Sequence, residues 1–214
     1  MMAIIFDLDG TLVDSAPGIL ASLEQAFANC GIRPNAPLTS TLIGPPLRET
    51  LARLCDRACD GATLDRLTAA FKGHYDSVGY WETQPFDGVT PMLHALADAG
   101  VVLHIATIKR AVPARLILDR LGWTALFARI YALDTFDPPL AHKAALLARL
   151  LADAGLKAGD CAYVGDRTED WQAARANRLQ FFWATWGFGA DSDAMGGDVN
   201  VLDTPDAGQL LSPT

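Results

Sequence analysis

Ala3-Ile4-Ile5-Phe6-Asp7-Leu8-Asp9-Gly10-Thr11-Leu12-Val13-Asp14-Ser15 carries an apolar segment straight into two aspartates one residue apart. The run predicts a buried strand over residues 3–8. Residues two apart on a strand project to the same side, so a strand continuing to Asp9 would turn both carboxylates toward one site. Gly10 then lets the backbone turn sharply and approach a ligand closely. An ordinary Asp-Gly turn after a buried strand would account for Asp9 and Gly10. It would not account for Asp7, a carboxylate at the mouth of a sheet with no cation beside it in the chain.

The rest of the chain has two rhythms. From Ser15, a plausible N-cap with Pro17 in the first turn, apolar residues at Ile19, Leu20, Leu23, Ala26, Phe27 and Cys30 keep helical spacing up to Gly31. Gly44-Pro45-Pro46 opens a second helix with Leu47, Leu51, Leu54, Cys55 and Ala58 on one face, and Leu64, Leu67, Phe71, Tyr75 and Val78 suggest a third. This all-helical block ends near Pro85-Phe86-Asp87-Gly88. Beyond it, helices alternate with the apolar runs 101–106, 129–132, 161–164, 180–184 and a weaker 199–202, the signature of βαβ units and a parallel sheet. The economical architecture is an α/β, doubly wound, Rossmann-like core of residues 1–14 and 86–214, with an inserted helical domain over 15–85. Ligands of such sheets bind at the carboxyl ends of the strands, and Asp7 and Asp9 stand at one such end.

Composition narrows the partners. The 25 acidic and 17 basic residues leave a net charge of −8, which argues against a nucleic acid polymer, whose binding requires many phosphates to be neutralised. Free nucleotides remain possible. Cys30, Cys55, Cys59 and Cys161 form no metal spacing with the four histidines, and Cys55 and Cys59 read as buried thiols sharing one helical face. The opening Met1-Met2-Ala3-Ile4-Ile5-Phe6-Asp7 lacks a basic region, and its apolar run is too short for a signal peptide or a span. These features predict a reduced cytoplasmic protein that does not engage a membrane. A monomer and a homodimer both remain open.

The other strand ends should complete the site. After Val101–Ala106 comes Thr107-Ile108-Lys109, where a hydroxyl and the following amides could hold phosphate oxygens; Lys143 opens a helix; and Gly165-Asp166-Arg167-Thr168-Glu169-Asp170 places two more acids at a strand end and helix start. Each has an ordinary alternative: Thr107 as a helix N-cap, Lys143 as a surface lysine, Asp166 and Asp170 as complements of a helix dipole. Four strand ends presenting phosphate chemistry in chain order is hard to reconcile with accident. Asp7, Asp9, Asp166 and Asp170 around a phosphate dianion would also repel it, since like charges about 4 Å apart cost on the order of 4 kcal/mol at an effective dielectric of about 20. A cation is therefore required, and an all-oxygen set favours Mg²⁺.

The order Asp-x-Asp-Gly-Thr, Thr, Lys, Gly-Asp-x-x-x-Asp resembles the four signature motifs of the haloacid dehalogenase superfamily, over nearly the whole chain. Gly44-Pro45-Pro46-Leu47-Arg48-Glu49-Thr50, Gly165-Asp166-Arg167, Asn177 and Trp186-Gly187-Phe188-Gly189 are similar to phosphoglycolate phosphatase-like and 5′-nucleotidase-like members with a helical cap. Ile108 departs from the pattern, where relatives usually carry Ser or Asn; its backbone amide is retained.

The resemblance implies a phosphatase. Asp7 would be the nucleophile and Asp9 the acid and base, with Thr107, Lys143 and the amides near Gly10 and Ile108 on the phosphate. Mg²⁺ would be held by Asp7, the backbone carbonyl of Asp9 and Asp166, and Asp170 would orient that shell. Arg48 in the cap is the candidate contact to the leaving portion of a small phosphorylated metabolite. A sugar phosphomutase of the β-phosphoglucomutase type shares the core motifs, and a phospho-acceptor domain or a catalytically silent binding protein is the alternative outside enzymes. Trp81, Trp123, Trp171, Trp183 and Trp186 invite base stacking, although core or interface roles explain them more simply.

Overall fold

The computed structural model describes residues 3–55, 59–189 and 199–211. In chain order the elements are β1 (Ala3–Phe6), β2 (Val13–Asp14), α1 (Ala16–Cys30), α2 (Leu47–Leu54), α3 (Gly61–Tyr75), β3 (Gln84–Pro85), α4 (Val89–Asp98), β4 (Val102–Thr107), α5 (Ala111–Arg120), β5 (Phe127–Ala132), α6 (Lys143–Ala154), β6 (Cys161–Gly165), α7 (Thr168–Ala176), β7 (Gln180–Ala184), β8 (Asn200–Leu202) and α8 (Ala207–Leu211). By internal contacts the chain divides into two compact units, residues 1–14 with 85–214 and residues 15–84.

The first unit is a six-stranded sheet in the order β5-β4-β1-β6-β7-β8, with every pairing parallel. The chain builds outward from β1 to β4 and β5, then crosses to β6 on the other side. That reversal is the switch point at which doubly wound sheets place their ligands. Strands buried on both faces read as continuous apolar runs, as Ala3-Ile4-Ile5-Phe6 does with all four residues buried. Ala3 and Ile5 face α6 and α7, packing with Leu146, Leu147, Leu150, Tyr163 and Ala173; Ile4 and Phe6 alternate to the opposite face. Asp7 continues the Ala3–Ile5 parity, so its side chain emerges on the face that carries α6 and α7.

The second unit is helical, and its core joins Leu23, Ala26 and Phe27 of α1, Leu51 and Leu54 of α2, and Leu67, Phe71 and Tyr75 of α3. Gly31 ends α1 in the left-handed conformation, φ +66°. Two local expectations need correction. Ser15 makes no capping bond: at φ −101°, ψ 1° it lacks the extended backbone that aims an N-cap side chain at the first amides. Cys55 and Cys59 do not share a helical face as thiols; α2 stops at Leu54, Cys55 is extended, and the two cysteines form a disulfide with Cα atoms 5.8 Å apart. Ala58, expected on that face, lies outside the described residues. No helix among the described residues is long and apolar enough to cross a membrane.

His104 of β4 is buried opposite Arg129 of β5, and among the described residues neither ring nitrogen has a hydrogen-bond partner. Burial, and secondarily the Arg129 charge, pull its pKa down to about 4. An unfolded chain takes up this proton near the ordinary value of about 6.5, while the folded chain refuses it until about 4. His104 therefore stabilises fully above about 6.5 and loses that contribution as pH falls toward about 4. Urea midpoints of His104→Leu should fall less than those of wild type between pH 7 and pH 4.5; equal falls would mean the ring is not the acid-sensitive group.

Candidate active site

The turn after β1 sets the first geometry. The Asp7 amide still donates to Val164 O of β6 (2.9 Å), but the strand itself ends at Phe6. Leu8 O then accepts from the amides of Thr11, Leu12 and Val13 at 3.3, 2.9 and 3.1 Å, and Gly10 takes φ +83°. The expected strand over residues 3–8 therefore ends two residues early, at Phe6: the backbone has turned before Asp9, and the Asp7 and Asp9 carboxylates meet different lysines. Lys143 Nζ donates to Asp7 Oδ2 at 2.7 Å and also to Asp170 Oδ1. Lys109 Nζ lies 2.9 and 3.1 Å from the two oxygens of Asp9.

Lys143 is not a surface lysine. It is the first residue of α6, whose N-terminus is capped by the His142 ring accepting from the Ala145 amide at 3.1 Å, and its side chain is buried. Burial opposes its charge, but the Asp170 and Asp7 carboxylates outweigh that and hold its pKa above the ordinary lysine value.

Asp166 and Asp170 follow β6. Asp170 Oδ2 accepts the Arg167 amide at 3.0 Å, a reach-back typical of a helix first turn. The Tyr163 hydroxyl stands 2.9 Å from Asp170 Oδ1 and 3.2 Å from Ala106 O, so it donates to one at a time. Asp166 is held from both ends: Thr11 Oγ1 donates to Oδ1 at 3.2 Å, and the Phe188 and Gly189 amides donate to Oδ2 at 2.9 and 3.1 Å. The indole N–H groups of Trp183 and Trp186 fix the carbonyls of Asp166 and Thr11 at 3.1 and 3.0 Å.

Thr107 is buried at the end of β4 and is not the cap of α5; its hydroxyl oxygen accepts the Lys109 amide at 3.2 Å. Ile108 lies between them, partly exposed. Gly10 has no room for a side chain, since a Cβ there would stand 2.4 Å from Asp166 Oδ2. Arg48 lies in the helical unit as the second residue of α2, half exposed and paired with Asp65 of α3. The structure thus brings together Asp7, Asp9, Gly10, Thr107, Lys143, Asp166 and Asp170 at the carboxyl edge of the sheet. Sequence reasoning missed the Lys109 ammonium, Tyr163 and the amide donors of residues 188 and 189. Of these, only Trp186-Gly187-Phe188-Gly189 left a trace, as a similarity to relatives.

One carboxylate oxygen from each of Asp7, Asp166 and Asp170 lies within 4.8 Å of the others. Burial pushes Asp7 up to about 6 against the pull of Lys143, and burial followed by the charges of Asp170 and Asp7 pushes Asp166 up to about 7. Asp7 Oδ1 is buried and has no hydrogen-bond partner among the described residues. Buried carboxylates left unpaired are costly, and hard oxygen donors gathered this closely fit a divalent cation.

A doubly wound sheet that gathers a lysine-bridged cluster of acids at its switch point is an arrangement suited to binding a phosphoryl group beside a cation. The chain belongs to the haloacid dehalogenase-like hydrolase family, whose model matches residues 4–184, and it is a phosphatase of that family. It is similar to a phosphoglycolate phosphatase of Xylella fastidiosa, 39% identical over 193 residues covering 89% of this chain and 82% of the relative. It is also similar to a 5′-nucleotidase of Pseudomonas aeruginosa, 33% identical over 191 residues covering 89% of this chain and 85% of the relative. A haloacid dehalogenase-like hydrolase of Streptococcus pneumoniae has the same fold at a TM-score of 0.83, with 28% identity over 96% of this chain and 95% of that one.

Proposed function

We propose that the protein hydrolyses a small phosphate monoester, of the phosphoglycolate or nucleoside monophosphate kind, through an aspartyl-phosphate on Asp7. The observation that carries this reading is the state of Asp7: buried, with one oxygen gripped by Lys143 and the other without a partner among the described residues. A carboxylate so oriented is a nucleophile that needs no base. Its oxygen forms a bond to phosphorus while the bond from phosphorus to the leaving oxygen breaks, and Asp9 delivers a proton to that oxygen. Water then attacks phosphorus, Asp9 takes the water's proton, and Asp7 is released with inorganic phosphate. Thr107, Lys143 and the amides near Gly10 and Ile108 stabilise charge on the phosphoryl oxygens, where most catalysis of phosphoryl transfer resides. Mg²⁺, held by Asp7, the Asp9 carbonyl and Asp166 with Asp170 orienting them, would neutralise the negative charge shared by the acids and the phosphate. A cytoplasmic setting agrees with a soluble phosphorylated metabolite as substrate.

The test is a panel of phosphate monoesters with Mg²⁺, read as released phosphate. Hydrolysis of small acids or nucleotides is the expected result, and sugar interconversion with little phosphate released would overturn it in favour of a mutase. The helical unit is assigned the role of cap, and Arg48 the contact to the leaving portion. Its present bond to Asp65 is exposed, a type of pair worth about 0–1 kcal/mol, so a substrate anion can displace it. Arg48→Ala should raise KM for the natural monoester about tenfold, the equivalent of about 1.4 kcal/mol, and leave nitrophenyl phosphate hydrolysis unchanged. Equal loss on both substrates would remove Arg48 from specificity.

A further inference from the structure

Asp166 accepts from Thr11 and two amides, Asp170 from Lys143 and the Arg167 amide, and Asp7 from Lys143. Asp9 is placed differently. Its carboxylate is partly exposed, and among the described residues both of its oxygens are held by a single side chain, the Lys109 ammonium. That side chain is 5% exposed, so the grip is made in a largely dry setting where its geometry persists. The lysine is itself anchored, because it follows a buried interior strand, flanked by β5 and β1, and its amide donates to Thr107 Oγ1. A proton-transferring carboxylate works only when its free lone pairs face the reacting oxygen, and a displacement of about 1 Å can cost roughly a hundredfold in rate. The ionised carboxylate offers about four lone-pair sites, and the protonated one an O–H donor with acceptor sites to spare, so in either state a lysine on both oxygens leaves a position for exchanging the proton while fixing the carboxylate plane.

We propose that Lys109 is a positioning residue for Asp9: by gripping both carboxylate oxygens from the end of β4, it holds the acid–base group in the orientation from which it serves the leaving group and the attacking water. The inference rests on the acid–base role assigned to Asp9 above. It gives Lys109 work distinct from that of Lys143, which bridges Asp7 and Asp170. It also explains why a strand-end lysine 100 residues away in sequence closes on a side chain presented by a turn.

Demand for a proton distinguishes positioning from packing. An alkyl phosphate needs an acid to expel its alkoxide, whereas nitrophenyl phosphate does not. Single-turnover measurements should show Lys109→Met slowing cleavage of an alkyl phosphate by roughly ten- to a hundredfold with KM unchanged. Cleavage of nitrophenyl phosphate should change by less than about threefold, and a small product burst should appear because Asp9 no longer activates water well. Lys109→Arg, which can also grip two oxygens, should recover most of the loss. In an Asp9→Asn background, Lys109→Met should cost nothing further, since residues acting as one unit are not additive. If Asp9→Asn separates the two substrates but Lys109→Met does not, or if the two losses add, the positioning role is wrong and the acid–base reading stands. If Asp9→Asn itself slows both substrates equally, the acid–base reading fails first.

Discussion

Asp7→Asn should release no measurable phosphate from any monoester, a loss on the order of 10⁴-fold or more, as for removal of other catalytic nucleophiles, and no phosphoryl group should be trapped at residue 7. The amide is isosteric with the carboxylate but a poor nucleophile, so folding should survive: a thermal midpoint within a few degrees of wild type is expected. The pairing with Lys143 gives a further signature. Lys143 bridges Asp7 and Asp170, so neutralising Asp7 leaves the ammonium to Asp170 without orphaning it, and the cluster loses one of its repelling charges. Loss of turnover with an undamaged fold is the expected pair of results. Retained turnover, or phosphate trapped on a different residue, would remove Asp7 from the chemistry.

How much of this site can be read from sequence depends on how far each feature reaches along the chain. Asp7, Asp166, Asp170 and Lys143 are legible because each stands just past an apolar run or at a helix start, and the doubly wound pattern gathers strand ends into one edge. Their order along the chain resembles a known one, which sharpened the reading further. The Lys109–Asp9 pair is not legible in the same way. It depends on the chain turning at Leu8, where three amides converge on one carbonyl, and on β4 lying beside β1; a strand prolonged to Asp9 would have sent that carboxylate elsewhere. The end of α2 was obscured for a related reason: apolar spacing through Cys55 imitates a continuing helix, whereas the backbone is already extended there. Apolar periodicity reports which residues are buried, and backbone turns within a periodic run leave it unchanged. The loop that holds Asp166 is visible in sequence only as glycines and tryptophans, because its donors are backbone amides, which every residue but proline supplies.

That loop makes the second large prediction. A Cβ on Gly187 would stand 2.3 Å from both Asp166 Cβ and Gly10 O and 2.7 Å from Asp166 Cγ, distances that real Cβ atoms do not tolerate. The neighbours are a backbone carbonyl and a buried carboxylate locked by three donors, so neither can swing aside as a flexible side chain would. The loop must move instead, drawing the Phe188 and Gly189 amides away from Asp166 Oδ2. Loss of such outer partners commonly costs ten- to a hundredfold in metal affinity. Gly187→Ala should therefore need at least tenfold more Mg²⁺ for half-maximal turnover, and EDTA should silence variant and wild type alike. A readout independent of turnover is the Mg²⁺-induced rise in thermal midpoint. Binding to the folded state alone stabilises by about 2.7 kcal/mol at a hundred times Kd, so at a fixed Mg²⁺ concentration the rise should be markedly smaller in the variant. Gly73→Ala is the control: it lies within α3 with open space around its would-be Cβ, and alanine there should stabilise by about 0.5–1 kcal/mol without altering the Mg²⁺ requirement. If Gly187→Ala binds Mg²⁺ as wild type does, Asp166 does not depend on this loop for its place, and the cation is held in some other way than the converging carboxylates indicate.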